Sequence, residues 1–371
     1  VFMKSQSIIY ELFWVRAIAC LAVVLVHSVF VTLEQSMISM SQLEEYILIA
    51  LRFIAFFGTP AFVFISEVLL ARAYPNGVPN DFFKKRIHFL LYPYIFIGIL
   101  FAAGQAGSFQ QFTTEALINV FLGGYTGYFI LIIFQFYILH VLLHKKLQRW
   151  SPWYVIPTSL LITILYLSFF HVTSPPGTWL GEYIWERGHW LPFFGWVFYF
   201  VVGYYVGKDY ERVKAWIIRR RKAWFILTPA TLLLILLSVR FDILTVVSSK
   251  RIDNIFFTVS IIFLMIWLAS RFNHVPRAIM FISKYSFNIY LLHNLLLLFF
   301  PAMPWLNPFV YMGLAYLYAL VGAIFIAKAL EPFQWSNYLI GKVLPDPREK
   351  VSTGPSSVNT HNTATGLEEK G

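Results

Sequence analysis

Apolar runs of about twenty residues alternate with short polar stretches along most of this chain. A helix needs about 20 apolar residues to cross a bilayer core about 30 Å thick. Ten segments satisfy that need, at roughly 8–31, 46–70, 87–106, 117–142, 153–172, 191–207, 223–239, 254–270, 280–300 and 308–330. Lipid offers no hydrogen bonds, so a crossing backbone must satisfy its own polar groups, and apolar runs of this length read as helices. The fourth run contains Gly123, Gly124 and Gly127 and is expected to be broken at one end. Pro301, Pro304 and Pro308 are expected to form a short turn before the last helix. The longest outer loop is expected near 171–190. The expected fold is all-α: a polytopic membrane protein of about ten transmembrane helices over residues 1–344. Residues 345–371 are polar and lack a large apolar cluster, which predicts a disordered tail.

Composition agrees. Charged residues make up 13% of the chain, where an ordinary soluble domain carries about 25%. The net charge of +11 would suit a nucleic-acid partner, but its distribution points elsewhere. With the N-terminus inside and the helices alternating, 23 Lys and Arg fall on the cytoplasmic side and 4 on the outer side. That asymmetry is the usual orientation signal of membrane proteins, and it places both termini in the cytoplasm. It also removes the need for nucleic acid. The first apolar run is too long for the core of a cleavable signal. Cys20 is the sole cysteine, so no disulfide can form within the chain.

Charged groups inside a membrane are costly and tend to mark function or a buried partner. The first segment carries Arg16 and His27. Eleven positions turn a helix three times plus about 20° and advance it about 16 Å, so both side chains share one face. A fixed cation below a titratable imidazole suits a polar route through the bilayer. Snorkelling of Arg16 and simple packing of His27 stay open as readings. In the second segment, Phe57-Gly58-Thr59-Pro60 can open the backbone. Glu67 follows as a proton carrier or substrate contact, or as a partner for a loop cation such as Arg72. Arg52 is expected to snorkel or to pair with Glu45. In the ninth segment Ser286, Tyr290 and His293 share a face by i, i+4, i+7 spacing. His140 reads as structural. Lys84, Lys85 and Arg86 form a basic cluster at the cytoplasmic mouth, able to hold phosphates of lipid headgroups or of a ligand such as coenzyme A. No nucleophile elbow, zincin motif, P-loop or Cys/His metal spacing is present.

Together these residues resemble the acyltransferase-3 family of membrane acyltransferases. Arg16-x10-His27 matches its Arg-x10-His signature. Phe57-Gly58-Thr59-Pro60 through Phe64-Ile65-Ser66-Glu67, the basic entry followed by Pro93, and Ser286-Phe287-Asn288-Ile289-Tyr290-Leu291-Leu292-His293 resemble further stretches of it. The likeness covers nearly all of 8–330. Within the family, Gly127-Tyr128-Phe129-Ile130, Gln135-Phe136 and Asp209-Tyr210-Glu211-Arg212-Val213 are similar to the branch of poly-β-1,6-N-acetylglucosamine (intercellular adhesin) export proteins. Two positions depart from the family: Phe89 stands where a second Arg is common, and Glu67 where a Gly is common.

The resemblance implies a multi-pass protein of a bacterial plasma membrane that transfers an acyl group, acetyl or succinyl, from a cytoplasmic acyl-CoA to hydroxyls of an extracytoplasmic polysaccharide or its lipid-linked precursor. It implies no permanently bound cofactor, acyl-CoA being a co-substrate. The surrounding lipids, and in one arrangement a membrane glycosyltransferase, would be partners. His27 would be general base or transient acyl carrier, and Arg16 would hold the donor or stabilise developing charge. Glu67, Tyr290 and His293 would contact substrate, and Lys84, Lys85 and Arg86 the coenzyme. The competing reading is a polysaccharide exporter, with some of the 19% aromatic residues lining a sugar path rather than forming interface belts.

Overall fold

The computed structural model describes residues 8–36, 40–244 and 246–344. The expected tail 345–371 lies outside the described residues. Those described form sixteen α-helices and no strand. They are α1 (Glu11–Ser36), α2 (Gln42–Ala55), α3 (Gly58–Ala73), α4 (Phe82–Arg86), α5 (Tyr92–Gln105), α6 (Phe109–Leu122), α7 (Phe129–Arg149) and α8 (Pro152–Val172). There follow α9 (Trp179–Gly188), α10 (Val197–Lys208), α11 (Tyr210–Arg219), α12 (Arg221–Arg240), α13 (Asn254–Ala269), α14 (Arg277–Leu298), α15 (Pro308–Leu330) and α16 (Ser336–Leu339).

Every expected apolar segment coincides with a helical stretch, and eight of these stretches are long and apolar enough to cross a membrane. The protein is an all-α, multi-pass membrane protein. Two stretches fall outside the eight for different reasons. α13 has only 16 residues, and α14 carries the polar series Ser283, Lys284, Ser286, Asn288 and His293. The second expected segment divides at Phe56–Phe57 into α2 and α3. The fourth is broken as expected: Gly123 closes α6 at φ 66°, and a 3₁₀ turn over Thr126–Tyr128 leads into α7. Only glycine takes that left-handed conformation without a Cβ penalty. The expected loop at 171–190 contains a helix of its own, α9, capped by the Thr178 hydroxyl accepting from the Gly181 amide at 3.1 Å.

α1 lies at the centre, packed on α2, α3, α13, α14 and α15. α15 comes close because Ala315, Ala319, Ala323 and Ala327, four residues apart, form one fully buried ridge. Small residues at such spacing let helices approach in lipid, where no hydrophobic force drives them together. Polar contacts at one end join loops that the charge pattern assigned to one side. Lys214 pairs with Glu11, Tyr210 donates to Glu11 at 3.1 Å, and Lys208 donates to the Gln148 carbonyl at 2.8 Å. At the opposite end Asn307 donates to Glu44 at 2.9 Å.

Candidate active site

α1 and α14 run parallel and in register. The Cys20 thiol lies 3.6 Å from the Ser286 carbonyl, and seven residues further along both helices the rings of His27 and His293 stand 5.1 Å apart. The spacing of the polar residues puts them on one face of each helix, and this packing brings the two faces together. The route expected along α1 therefore has two walls, with Arg16 and His27 on one and Ser286, Tyr290 and His293 on the other.

One end of this seam opens into a cavity of about 640 Å³. Arg16, Ser286 and Tyr290 line it, together with Phe62, Ile65, Ser66 and Leu69 of α3 and Phe129, Ile130 and Ile133 of α7. Lys85, Arg86 and Lys342 add three more cations to the lining. That volume falls within the range of small-molecule sites, about 300–1,000 Å³. A largely apolar wall with cations among it suits a ligand that is apolar at one end and anionic at the other. Arg16 also lines a smaller cavity of about 230 Å³ with Ile8, Leu12, Phe13 and Arg72, so it stands in the wall between the two. Its guanidinium lies 5.9 Å from the Phe13 ring centre and has no carboxylate partner among the described residues.

Tyr290 joins the cavity to the histidine pair. It lines the cavity, its ring lies 6.3 Å from that of His293, and its hydroxyl donates to the Thr126 carbonyl at 2.7 Å. The 3₁₀ turn after Gly123 is what presents that carbonyl. The Nδ1 of His293 faces the Ile289 carbonyl at 3.0 Å. A carbonyl only accepts, so Nδ1 carries the proton and Nε2 keeps its lone pair. Nε2 is buried and unpartnered. His27 is half-buried, whereas His293 is fully buried, so His27 is the more accessible of two adjacent bases.

The other expected site residues divide. Lys85 and Arg86 line the cavity; Lys84 is exposed and does not. Lys85 pairs with Asp81 at 2.5 Å, and Arg86 lies over the rings of Phe82 and Tyr137 at 4.9 and 5.2 Å. Glu67 stands apart from the seam. It is fully buried, and its Oε1 accepts from His140 Nδ1 at 2.6 Å. Its neighbour Ser66 faces the cavity, while Glu67 faces α10, where an added Cβ on Gly203 would come within 3.1 Å of the Glu67 Cβ. Arg72, its alternative partner, pairs instead with Glu211 at 3.7 Å. Arg52 lies over Phe30 and Phe56 at 5.1 and 5.6 Å rather than pairing with Glu45. His140 is a partner of Glu67, and its ring stacks on His144 at 5.7 Å. Sequence reasoning missed Lys342. Nothing local marks it, because it reaches the cavity only when the chain after α15 folds back.

A family model described as an acyltransferase domain matches residues 9–328. A protein of Bacillus subtilis (strain 168) named as a membrane-bound acyltransferase is 38% identical over 368 residues, covering 93% of this chain and 97% of its own. A protein of Staphylococcus aureus (strain Mu50 / ATCC 700699) named as a poly-beta-1,6-N-acetyl-D-glucosamine export protein is 27% identical over 347 residues, covering 91% and 97%. One of Staphylococcus epidermidis with the same name is 26% identical over 349 residues, covering 92% and 96%. No solved structure matches significantly.

Proposed function

This chain belongs to the acyltransferase-3 family of membrane acyltransferases, and on that premise we propose that it moves an acyl group, acetyl or succinyl, from a cytoplasmic acyl-CoA to hydroxyls of a polysaccharide on the outer side. The observation that carries this reading is the cavity lined by Arg16 and Tyr290, continued along α14 to the His27–His293 pair. The cations stand at the cavity, and the free imidazole nitrogen stands beyond it. A polyanionic donor and a neutral hydroxyl acceptor call for that polarity.

In the reaction, the acceptor oxygen attacks the thioester carbonyl, the carbon–sulfur bond breaks, and the thiolate leaves toward the cytoplasm. His27 takes the hydroxyl proton as the C–O bond forms. Arg16 holds the donor or offsets negative charge at the carbonyl oxygen. Tyr290, fixed by the Thr126 carbonyl, sets the distance between donor and acceptor. A variant of the same chemistry passes the acyl group through a transient acyl-imidazole on His27 before the acceptor takes it. Lipid-linked glycan, surrounding lipid and a membrane glycosyltransferase are natural partners for such a step.

Relatives named as export proteins keep one rival in view, in which the chain conducts the polysaccharide. The test is the ester-linked acyl content of surface glycan with wild-type protein and with His27→Ala. General-base catalysis contributes about 10²–10⁴-fold, so ester groups should nearly vanish while expression and surface polymer persist. Normal acylation in the variant would remove His27 from the chemistry. Polymer retained inside the cell would favour export.

A further inference from the structure

After α15 the chain turns back, and residues 340–344 run along the N-terminal half of α14. Asn288, fully buried on α14, donates to the carbonyls of Ile340 and Gly341 at 2.9 and 2.8 Å. The Leu344 amide donates to the Lys284 carbonyl at 3.1 Å. Gly341 sits at φ 89°, and a Cβ there would come within 2.3 Å of the Phe287 ring. Only glycine fits that turn, and the turn aims the next residues at the cavity. Lys342, Val343 and Leu344 form part of its lining.

The cations at this cavity differ in how far they are neutralised. Lys85 is paired with Asp81, and Arg86 is held over two rings. Lys342 is exposed and stands 5.2 Å from the Phe89 ring centre, with no carboxylate partner among the described residues. Phe89 is held in turn by Tyr338 of the same returning segment, stacked at 5.8 Å. The segment is therefore fixed at both sides of Lys342, and no carboxylate among the described residues neutralises its ammonium at the mouth.

We propose that Lys342 is a donor-binding residue, which with Lys85 and Arg86 forms a phosphate-binding mouth for the diphosphate and ribose phosphate of a nucleotide thioester. This rests on the donor assignment above. The acyl end and its pantetheine arm then lie against the apolar walls of α3 and α7, pointing along the seam toward Tyr290. Anionic lipid headgroups carry the same chemistry, and the experiment separates the two sources.

The full-length protein, in nanodiscs of neutral lipid and of anionic lipid, is titrated with coenzyme A, with adenosine 3′,5′-bisphosphate and with phosphate-free acyl-pantetheine. Lys342→Ala should weaken coenzyme A and the bisphosphate by roughly 3- to 10-fold, the loss of one partly exposed charge contact. Acyl-pantetheine binding should not change, Lys342→Arg should restore affinity, and the salt dependence of coenzyme A binding should become shallower in the Ala variant. The proposal is overturned by an unchanged coenzyme A affinity in Lys342→Ala, or by equal weakening of acyl-pantetheine. An effect confined to anionic nanodiscs would assign Lys342 to lipid and overturn it too. If wild-type protein binds no coenzyme A, the donor assignment itself fails. If Arg86→Ala weakens coenzyme A while Lys342→Ala does not, only this inference fails.

Discussion

The ring of His27 on α1 stands 5.1 Å from that of His293 on α14, and the Nε2 of His293 is buried with no hydrogen-bond partner. Its Nδ1 is committed to the Ile289 carbonyl. Two imidazoles in contact form a unit, so their removal should not add. We expect His293→Ala to lower acyl transfer by about 10²-fold, and the His27→Ala, His293→Ala double variant to be little worse than His27→Ala alone. Turnover of purified protein, normalised to folded fraction, measures this. Independent, multiplying losses would separate the two rings functionally.

Arg16 has no carboxylate partner among the described residues and lines the wall between two cavities. Its planar fork can donate two hydrogen bonds at once to carbonyl or phosphate oxygens, in a geometry that an ammonium cannot reproduce. Arg16→Lys is therefore expected to lose roughly tenfold or more in kcat/KM, the equivalent of about 1.4 kcal/mol, and Arg16→Ala more. Near wild-type turnover in Arg16→Lys would reduce Arg16 to a snorkelling charge.

Glu67 and His140 form a buried hydrogen-bonded pair away from the seam. Removing one partner leaves the other unsatisfied, at a cost of about 1–3 kcal/mol. Glu67→Ala and His140→Ala should each lower the thermal unfolding temperature in detergent, and the double variant should cost less than their sum. The catalytic rate per folded molecule should hold in Glu67→Gln. A collapse of turnover with unaltered stability would return Glu67 to the substrate.

The alanine ridge of α15 is fully buried against its neighbours. Ala319→Leu inserts three carbons where helices touch, and overpacking of this kind costs about 1–3 kcal/mol. Lower thermal stability and lower yield are expected, whereas Leu317→Ala on the exposed face of the same helix should have little effect.

Much of the site was legible because helical periodicity is local. Arg16 and His27 share a face by spacing alone, as do Ser286, Tyr290 and His293. The break after α6 was written in Gly123. What spacing could not say is which stripes meet. The register that sets Cys20 beside Ser286 and His27 beside His293 depends on how α1 and α14 pack. Glu67 is the counter-case: an intramembrane carboxylate beside the cavity in sequence, turned away from it because the glycines of α10 admit α3 on its other face.

The sequence by itself determined that the chain is a set of membrane helices, which of its residues are polar within them, and which family it belongs to. Lipid is as apolar as a protein interior, so a helix facing lipid and one buried in the bundle carry the same residues. α8 exposes Trp153, Leu161 and Leu165, while the equally apolar α10 is buried throughout most of its length. Without a contrast between solvent and core, periodicity does not reveal the inner face. Only the tertiary structure decided which polar groups share a seam, and only a chain that returns after its last long helix could bring Lys342 to the mouth of the cavity.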